Sequence, residues 1–345
     1  MLKYIITFVA MSKKGILLIN LGTPDSPSTT DVRKYLTEFL NDPYVIDINW
    51  LTRTILVNLI IVPFRAPKSA KIYQKLWTKK GSPLLYYSEE VQEKLQLELG
   101  ENYGVHLAMR YKNPSMNSVI SKMESKNYDE IIVIPLYPQY ATSSTKTCIE
   151  KAKKLFNKWS KEPNVKYIDY FYDNPLFIES IIEQTTQYNL PDYDHVLFSY
   201  HGLPIRQLHK VHAGKTCEEL NCTTEINDLN QYCYQAQCYA TTRSLVEKLN
   251  LKPTNYSVGF QSRLDDKWVK PYSDKLVEEF GKEGKKNILV FSPAFVADCL
   301  ETTIEISDEY QEIFTENGGG ELQLVPSLNS HPKWITTLKD IVLKT

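Results

Sequence analysis

No sign of charge dominates this chain: 40 Lys and Arg stand against 41 Asp and Glu, for a formal net charge of -1. Nucleic acid is held mainly by neutralising phosphates, so the balance excludes a general nucleic-acid partner. No apolar run reaches the roughly 20 residues of a spanning helix, so no transmembrane segment is expected. The GxGxxG spacing of a dinucleotide site is missing, and no nucleotide cofactor is expected. There is no clear repeat of residue identity and no low-complexity tract. Cysteines number six, and four of them fall between Cys217 and Cys238.

What is present fits a two-lobed globular chain. At 345 residues it is too long for one ordinary core, and 42% hydrophobic with 23% charged residues is a globular composition. Its 23 tyrosines offer aromatic surface to a flat, largely apolar ligand, although packing accounts for most of them. The opening "MLKYIITFVA" is far short of a span and lacks a small-residue cleavage site after it. Residues 1–11 read as an extension or a misassigned start, and a cytoplasmic location is expected.

Apolar runs bounded by turn residues recur at 15–22, 105–111, 130–138, 165–171, 195–202, 256–262 and 287–295, with helical patterns between them. Strand alternating with helix argues parallel sheets covered by helices. Two four-stranded Rossmann-like halves fit better than one small sheet or an eight-unit barrel. The seam is expected near "YDNPLF" (172–177). That gives lobes of 12–171 with a returning 327–345 segment, and 172–326. Ser330 reads as the cap of the last helix, with Pro332 in its first turn.

Chemistry concentrates where strands end. "FSYHGLP" delivers His201 at the close of an apolar run, where parallel sheets place their sites. "FSPAFVADCLETTIEI" delivers Asp298, Cys299, Glu301 and Glu305 after another, with Glu301 and Glu305 at i,i+4 on one helix face. An acidic first turn is favourable to any helix, yet Phe295, Val296 and Leu300 make an apolar neighbourhood in which a carboxylate is costly to keep. "PLYPQYATSST" opens a helix with more hydroxyls than capping needs, a place for an anionic group, and "MRYKNPS" adds Arg110 beside Tyr111. An imidazole facing carboxylates can bind a divalent transition metal and accept protons near neutral pH. Insertion of a metal into a porphyrin needs both.

The motifs "LLINLGTP", "DVRKYLTEFL", "GSPL", "MRY", "VIPLYPQYATSST", "FSYHGLP", "FQSRL" and "PAFVADCLET", in this order from about Gly15 to the last helix, closely resemble the ferrochelatases. The resemblance implies Fe2+ insertion into protoporphyrin IX, the last step of haem synthesis, by two Rossmann-like lobes. It implies His201 as metal-binding and proton-abstracting, Glu301 as its carboxylate partner and Glu305 as the continuation of a proton or metal path. It implies Tyr73, Ser82, Arg110, Tyr111, Ser143, Ser262 and Trp268 around the porphyrin and its propionates. Coproporphyrin III, another tetrapyrrole chelatase and a non-enzymatic porphyrin carrier stand as alternatives. Oligomeric state is left open.

Departures from the family pattern matter too. Cys299 stands where many relatives have histidine, so no role for that histidine carries over. Ala141 and the lack of any cysteine after Cys299 exclude the iron–sulfur cluster of animal-type members. No apolar membrane lip stands out, although peripheral membrane contact is allowed. Cys217, Cys222, Cys233 and Cys238 form C-x4-C-x10-C-x4-C. Disulfides do not suit a reducing cytosol, and zinc usually takes shorter spacings within pairs. Four thiolates suit a [2Fe–2S] centre, as in some bacterial relatives with an internal cysteine segment. The order of preference is cluster, free thiols, zinc.

Overall fold

Most of the apolar runs that the sequence sets between turn residues become strands buried over most of their length, the 165–171 run giving only a short, half-buried edge strand. In the computed structural model, which describes residues 13–345, the chain begins with β1 (Lys14–Asn20), α1 (Thr29–Leu40), α2 (Trp50–Ile55), a π-helical stretch (Leu56–Ile61) and α3 (Val62–Leu76). There follow α4 (Pro83–Leu99), β2 (Tyr103–Met109), α5 (Met116–Glu124), β3 (Glu130–Pro135), a π turn (Thr142–Lys146), α6 (Thr147–Phe156) and β4 (Val165–Tyr167). These strands form a parallel sheet in the order β2-β1-β3-β4.

The second half runs α7 (Pro175–Gln184), β5 (His195–His201), α8 (Ile205–His209), α9 (Tyr234–Leu249), β6 (Tyr256–Gln261), α10 (Ser273–Lys282) and β7 (Asn287–Phe291). A π-helix (Glu301–Tyr310), α11 (Gln311–Glu316), β8 (Glu321–Leu324) and α12 (Pro332–Lys344) complete it. Its parallel sheet has the order β6-β5-β7-β8. The two four-stranded α/β sheets are those expected. The expectation for residues 1–11 concerns residues outside those described.

The strand order positions the site. The order in which strands are added to the second sheet reverses between β5 and β7, although all run parallel, and ligands bind beyond the carboxyl ends of strands at such a switch point. The last residue of β5 is His201. Fully buried Ile16, Leu17, Leu18 and Ile19 anchor the first sheet, each contributing roughly 1.5–3 kcal/mol by leaving water. A continuous apolar cluster joins the sheets and includes Ile16, Phe177, Phe198 and Trp334.

Three sequence readings need correction. β8 was not among the expected strands, because "ELQL" is a short edge segment without an apolar run. His331, not Ser330, caps α12 by accepting from the amide of Lys333 at 3.3 Å. Ser330 instead bonds Glu90 at 2.6 Å and Lys94 at 3.0 Å, tying the turn to α4. An apolar lip does exist: Trp50, Leu51, Ile55, Leu59, Ile60 and Phe64 are exposed along α2, the π stretch and α3. The run is broken by Thr, Arg and Asn, which hides it from a search for continuous hydrophobicity.

Candidate active site

β5 lies in register with β6, pairing His201 with Gln261. The close approach requires glycine next: a Cβ on Gly202 would meet the Gln261 carbonyl oxygen at 2.6 Å and the Trp268 ring at 3.3 Å. Trp268 is therefore packed beside the residue that follows His201. The His201 and Phe295 rings meet nearly at right angles, with centroids 6.2 Å apart. His201 Nδ1 is buried without a hydrogen-bond partner among the described residues.

Gln261 carries the geometry from the histidine to the carboxylates. Its side-chain carbonyl accepts from Ser199 at 2.9 Å. Its amide donates to the Glu301 carbonyl at 3.0 Å and to the Glu305 carboxylate at 3.2 Å. Glu305 also accepts from the Ser262 amide at 2.8 Å, the Ser262 hydroxyl at 2.5 Å and the Tyr310 hydroxyl at 3.2 Å. Ser262 has φ 62, a left-handed conformation uncommon for a residue other than glycine, and it turns both donors onto one carboxylate. Glu305 is thus pinned. Ser262 serves that carboxylate, a role sequence reasoning did not foresee.

Glu301 opens a π-helix rather than the α-helix implied by i,i+4 spacing. Such winding is rare and concentrates at functional sites. Glu301 faces the first lobe: burial, and after it the Glu301 carboxylate, push the Tyr35 phenol up. Tyr73 is raised by burial, by Tyr35 and by Glu301. Both phenols stay protonated near neutral pH and remain donors. Ile304, one residue before Glu305, packs with Tyr35, Leu36 and Tyr73 in the apolar cluster of α1 and α3.

Other expected residues are placed differently. Arg110 is paired with buried Asp42 and bonds Thr147 at 2.9 Å. Tyr111 is fully enclosed and donates to Asp42 at 2.9 Å, while the Thr147 hydroxyl donates to Asp42 at 2.6 Å. Asp42 was not singled out in the sequence because its partners lie far along the chain. Ser82 heads α4, buried, with a hydroxyl lacking a partner among the described residues. Ser143 is half-buried in the π turn before α6. Asp298 is occupied structurally, accepting from the Ser327 amide at 3.0 Å and the Asn329 side chain at 2.7 Å. Burial pushes the Cys299 thiol well up, so it stays protonated.

The cysteine segment assembles a different set from the one expected. Cys217, Cys222 and Cys233 converge with His212, their ligand atoms all within 4.8 Å of one another. Cys238 lies outside this group, on the second turn of α9. His212 carried no signal of its own beyond standing five residues before Cys217.

The family profile described as Ferrochelatase matches residues 13–345. A ferrochelatase of Coxiella burnetii (strain CbuG_Q212) is 45% identical over 343 residues, covering 97% of this chain and 94% of the relative. A ferrochelatase of Legionella pneumophila (strain Lens) is 43% identical over 331 residues, covering 96% and 98%. Among solved structures, SirB from Bacillus subtilis with Fe3+ superposes with a TM-score of 0.53 at 10% identity, covering 96% of this chain and 95% of SirB. At that identity the likeness concerns the fold alone.

Proposed function

The chain belongs to the ferrochelatase family, and from that premise we propose that it inserts Fe2+ into protoporphyrin IX, releasing two protons, in the cytoplasm. Membership makes it a metal chelatase of haem biosynthesis. The observation that carries the residue assignment is the Gln261 bridge, which registers His201 against the turn bearing Glu301 and Glu305.

His201 and Glu301 contact the incoming Fe2+. Imidazole nitrogen and carboxylate oxygen form a donor set that a ferrous ion leaves readily for four pyrrole nitrogens. His201 accepts protons from the pyrrole N–H groups as the metal enters. Glu301, at the head of the π-helix, takes each proton in turn from His201 and passes it through Glu305 towards solvent, so that two protons leave as Fe2+ enters. Tyr73, Ser82, Ser143 and Trp268 line the porphyrin side. Arg110 and Tyr111 form the wall behind it through their Asp42 network, and Ser262 acts by holding Glu305. The lobes proposed are 12–171 with 327–345, and 172–326.

A four-cysteine [2Fe–2S] centre does not enter this reading, because Cys238 is not brought to the other three thiols.

No helix among the described residues is long and apolar enough to cross a membrane. Peripheral contact is supported instead. The exposed apolar residues of α2 and α3 lie in a stretch that carries seven Lys and Arg and no Asp or Glu between Asp47 and Glu89. Apolar side chains flanked by basic ones suit an anionic lipid surface, where an insoluble porphyrin would be met.

An anaerobic assay offering Fe2+ with protoporphyrin IX and with coproporphyrin III in turn tests the function. Faster turnover of protoporphyrin is expected; exclusive use of coproporphyrin would replace that substrate. Binding of both without metal insertion would leave a carrier.

A further inference from the structure

Between α8 and α9 the chain runs from 210 to 233 without a helix or strand. Loops this long are uncommon in compact domains unless they serve a function. This one buries what loops normally keep out: His212, Cys222 and Cys233 are fully enclosed, and Cys217 nearly so. Cys217 Sγ lies 3.9 Å from Cys233 Sγ, and His212 Nε2 lies 3.9 Å from Cys222 Sγ. No pair among the four ligand atoms exceeds 4.8 Å.

These separations are close to those around one ion, which would draw the groups a little nearer. A tetrahedral centre with sulfur at about 2.3 Å and nitrogen at about 2.0 Å spaces its ligands by about 3.5–3.8 Å. A two-iron cluster splits four ligands between metals and spreads the two pairs further apart, which these atoms are not. The spacing His-x4-Cys-x4-Cys-x10-Cys differs from the all-cysteine pattern by bringing in an imidazole upstream.

The loop is built to converge these groups. Buried Asn230 donates to the carbonyls of Leu220 at 3.0 Å and Glu225 at 3.1 Å, and accepts from the Asn227 amide at 2.7 Å. The Cys222 amide bonds the Cys217 carbonyl at 3.0 Å, and the Cys233 amide bonds the Asn230 carbonyl at 2.7 Å. His212 Nδ1 has no partner among the described residues. An enclosed imidazole whose side-chain contact is a thiol at 3.9 Å is costly unless it binds something. So short a segment, without a sheet ladder, also needs a staple to hold its form.

We propose that His212, Cys217, Cys222 and Cys233 hold one structural divalent metal ion, zinc by its fit to a Cys3His tetrahedron, and that Cys238 is not a ligand. The site also reaches towards the proposed active site: Cys233 caps α9, and Thr242 of that helix bonds the Tyr200 hydroxyl at 2.8 Å, one residue before His201.

Metal analysis of the full-length protein after exposure to a mild chelator tests this, with no porphyrin present. About one zinc per chain is expected, with no acid-labile sulfide. His212→Ala and Cys222→Ser should lose the metal, and His212→Cys should regain it if His212→Ala merely folds poorly. Cys238→Ser and His201→Ala should keep it. Cobalt-substituted protein should show thiolate-to-metal charge transfer and the visible bands of a tetrahedral site. Iron with acid-labile sulfide, metal-free protein, or loss of metal in Cys238→Ser with retention in His212→Ala would each overturn the proposal.

Discussion

Replacing His201 by Ala should abolish metal insertion while leaving porphyrin binding largely intact, since the macrocycle is held by other surfaces. Loss of a general base typically costs about 10²–10⁴ in rate, and loss of a metal contact adds to it. Glu301→Gln keeps shape and removes charge, and should be nearly inactive. Glu305→Gln should slow turnover less but destabilise more, by about 1–3 kcal/mol, because an amide nitrogen would face donors that now meet an oxygen. Single-turnover kinetics and denaturant melts separate the two effects; equal stability of the Glu305 and Glu301 variants would contradict the pinning by Ser262, Gln261 and Tyr310. The placement of His201 at a strand end and of Glu301 and Glu305 on the helix after β7 was legible because both are local patterns, although their roles rest on the proposed function. Asp42 was not, since it meets Arg110 across 68 residues. Gln261 sat unremarked inside a quoted motif, because an amide's role as a bridge depends on which strand pairs with which.

At the scale of elements, Gly202 is a tight joint between β5 and β6. Gly202→Ala forces β5 away from the Gln261 carbonyl and Trp268, at about 1–3 kcal/mol for overpacking. It should also lower turnover by displacing His201, with porphyrin affinity changed less. A fully active Gly202→Ala would mean that the strand end has slack. Seven strands could be read from runs such as "GILLINLG" and "HVLFSYHG", which carry the composition of strands buried on both faces. The eighth, Glu321–Leu324, could not, for four residues at a sheet edge leave no period to count. Nor could the winding of Glu301–Tyr310, since apolar periodicity over ten residues does not distinguish an α-helix from a π-helix.

Across the whole molecule, Asp47 clasps the two halves, taking ion pairs from Arg206 and Lys210 on and just after α8. Burial alone would raise its carboxyl, but hydrogen bonds from Arg206 and Lys210 prevail and hold it at about 2. Its contribution to stability is therefore complete above the unfolded carboxyl value and lost as pH falls through about 2. Asp47→Asn should remove that component of acid sensitivity, seen as a shallower loss of stability below about pH 4 in a melt series. An unchanged profile would refute the clasp. On the opposite account, Phe64, 74% exposed, should govern lipid contact. Phe64→Ser should reduce sedimentation with anionic vesicles while sparing turnover of detergent-dispersed porphyrin. Equal sedimentation of both proteins would move the contact elsewhere. The docking of α12 sets a schedule for the nascent chain. Trp334, Ile335, Leu338, Ile341 and Val342 are buried on this helix, which packs against both α4 and α7. The parts of those helices that α12 covers, beyond what β2 and α9 already pack against, therefore wait uncovered until residues 332–344 have left the ribosome. At about 5–20 residues per second, α4 spends tens of seconds exposed, which makes an early-emerging helix the natural client of a chaperone during synthesis.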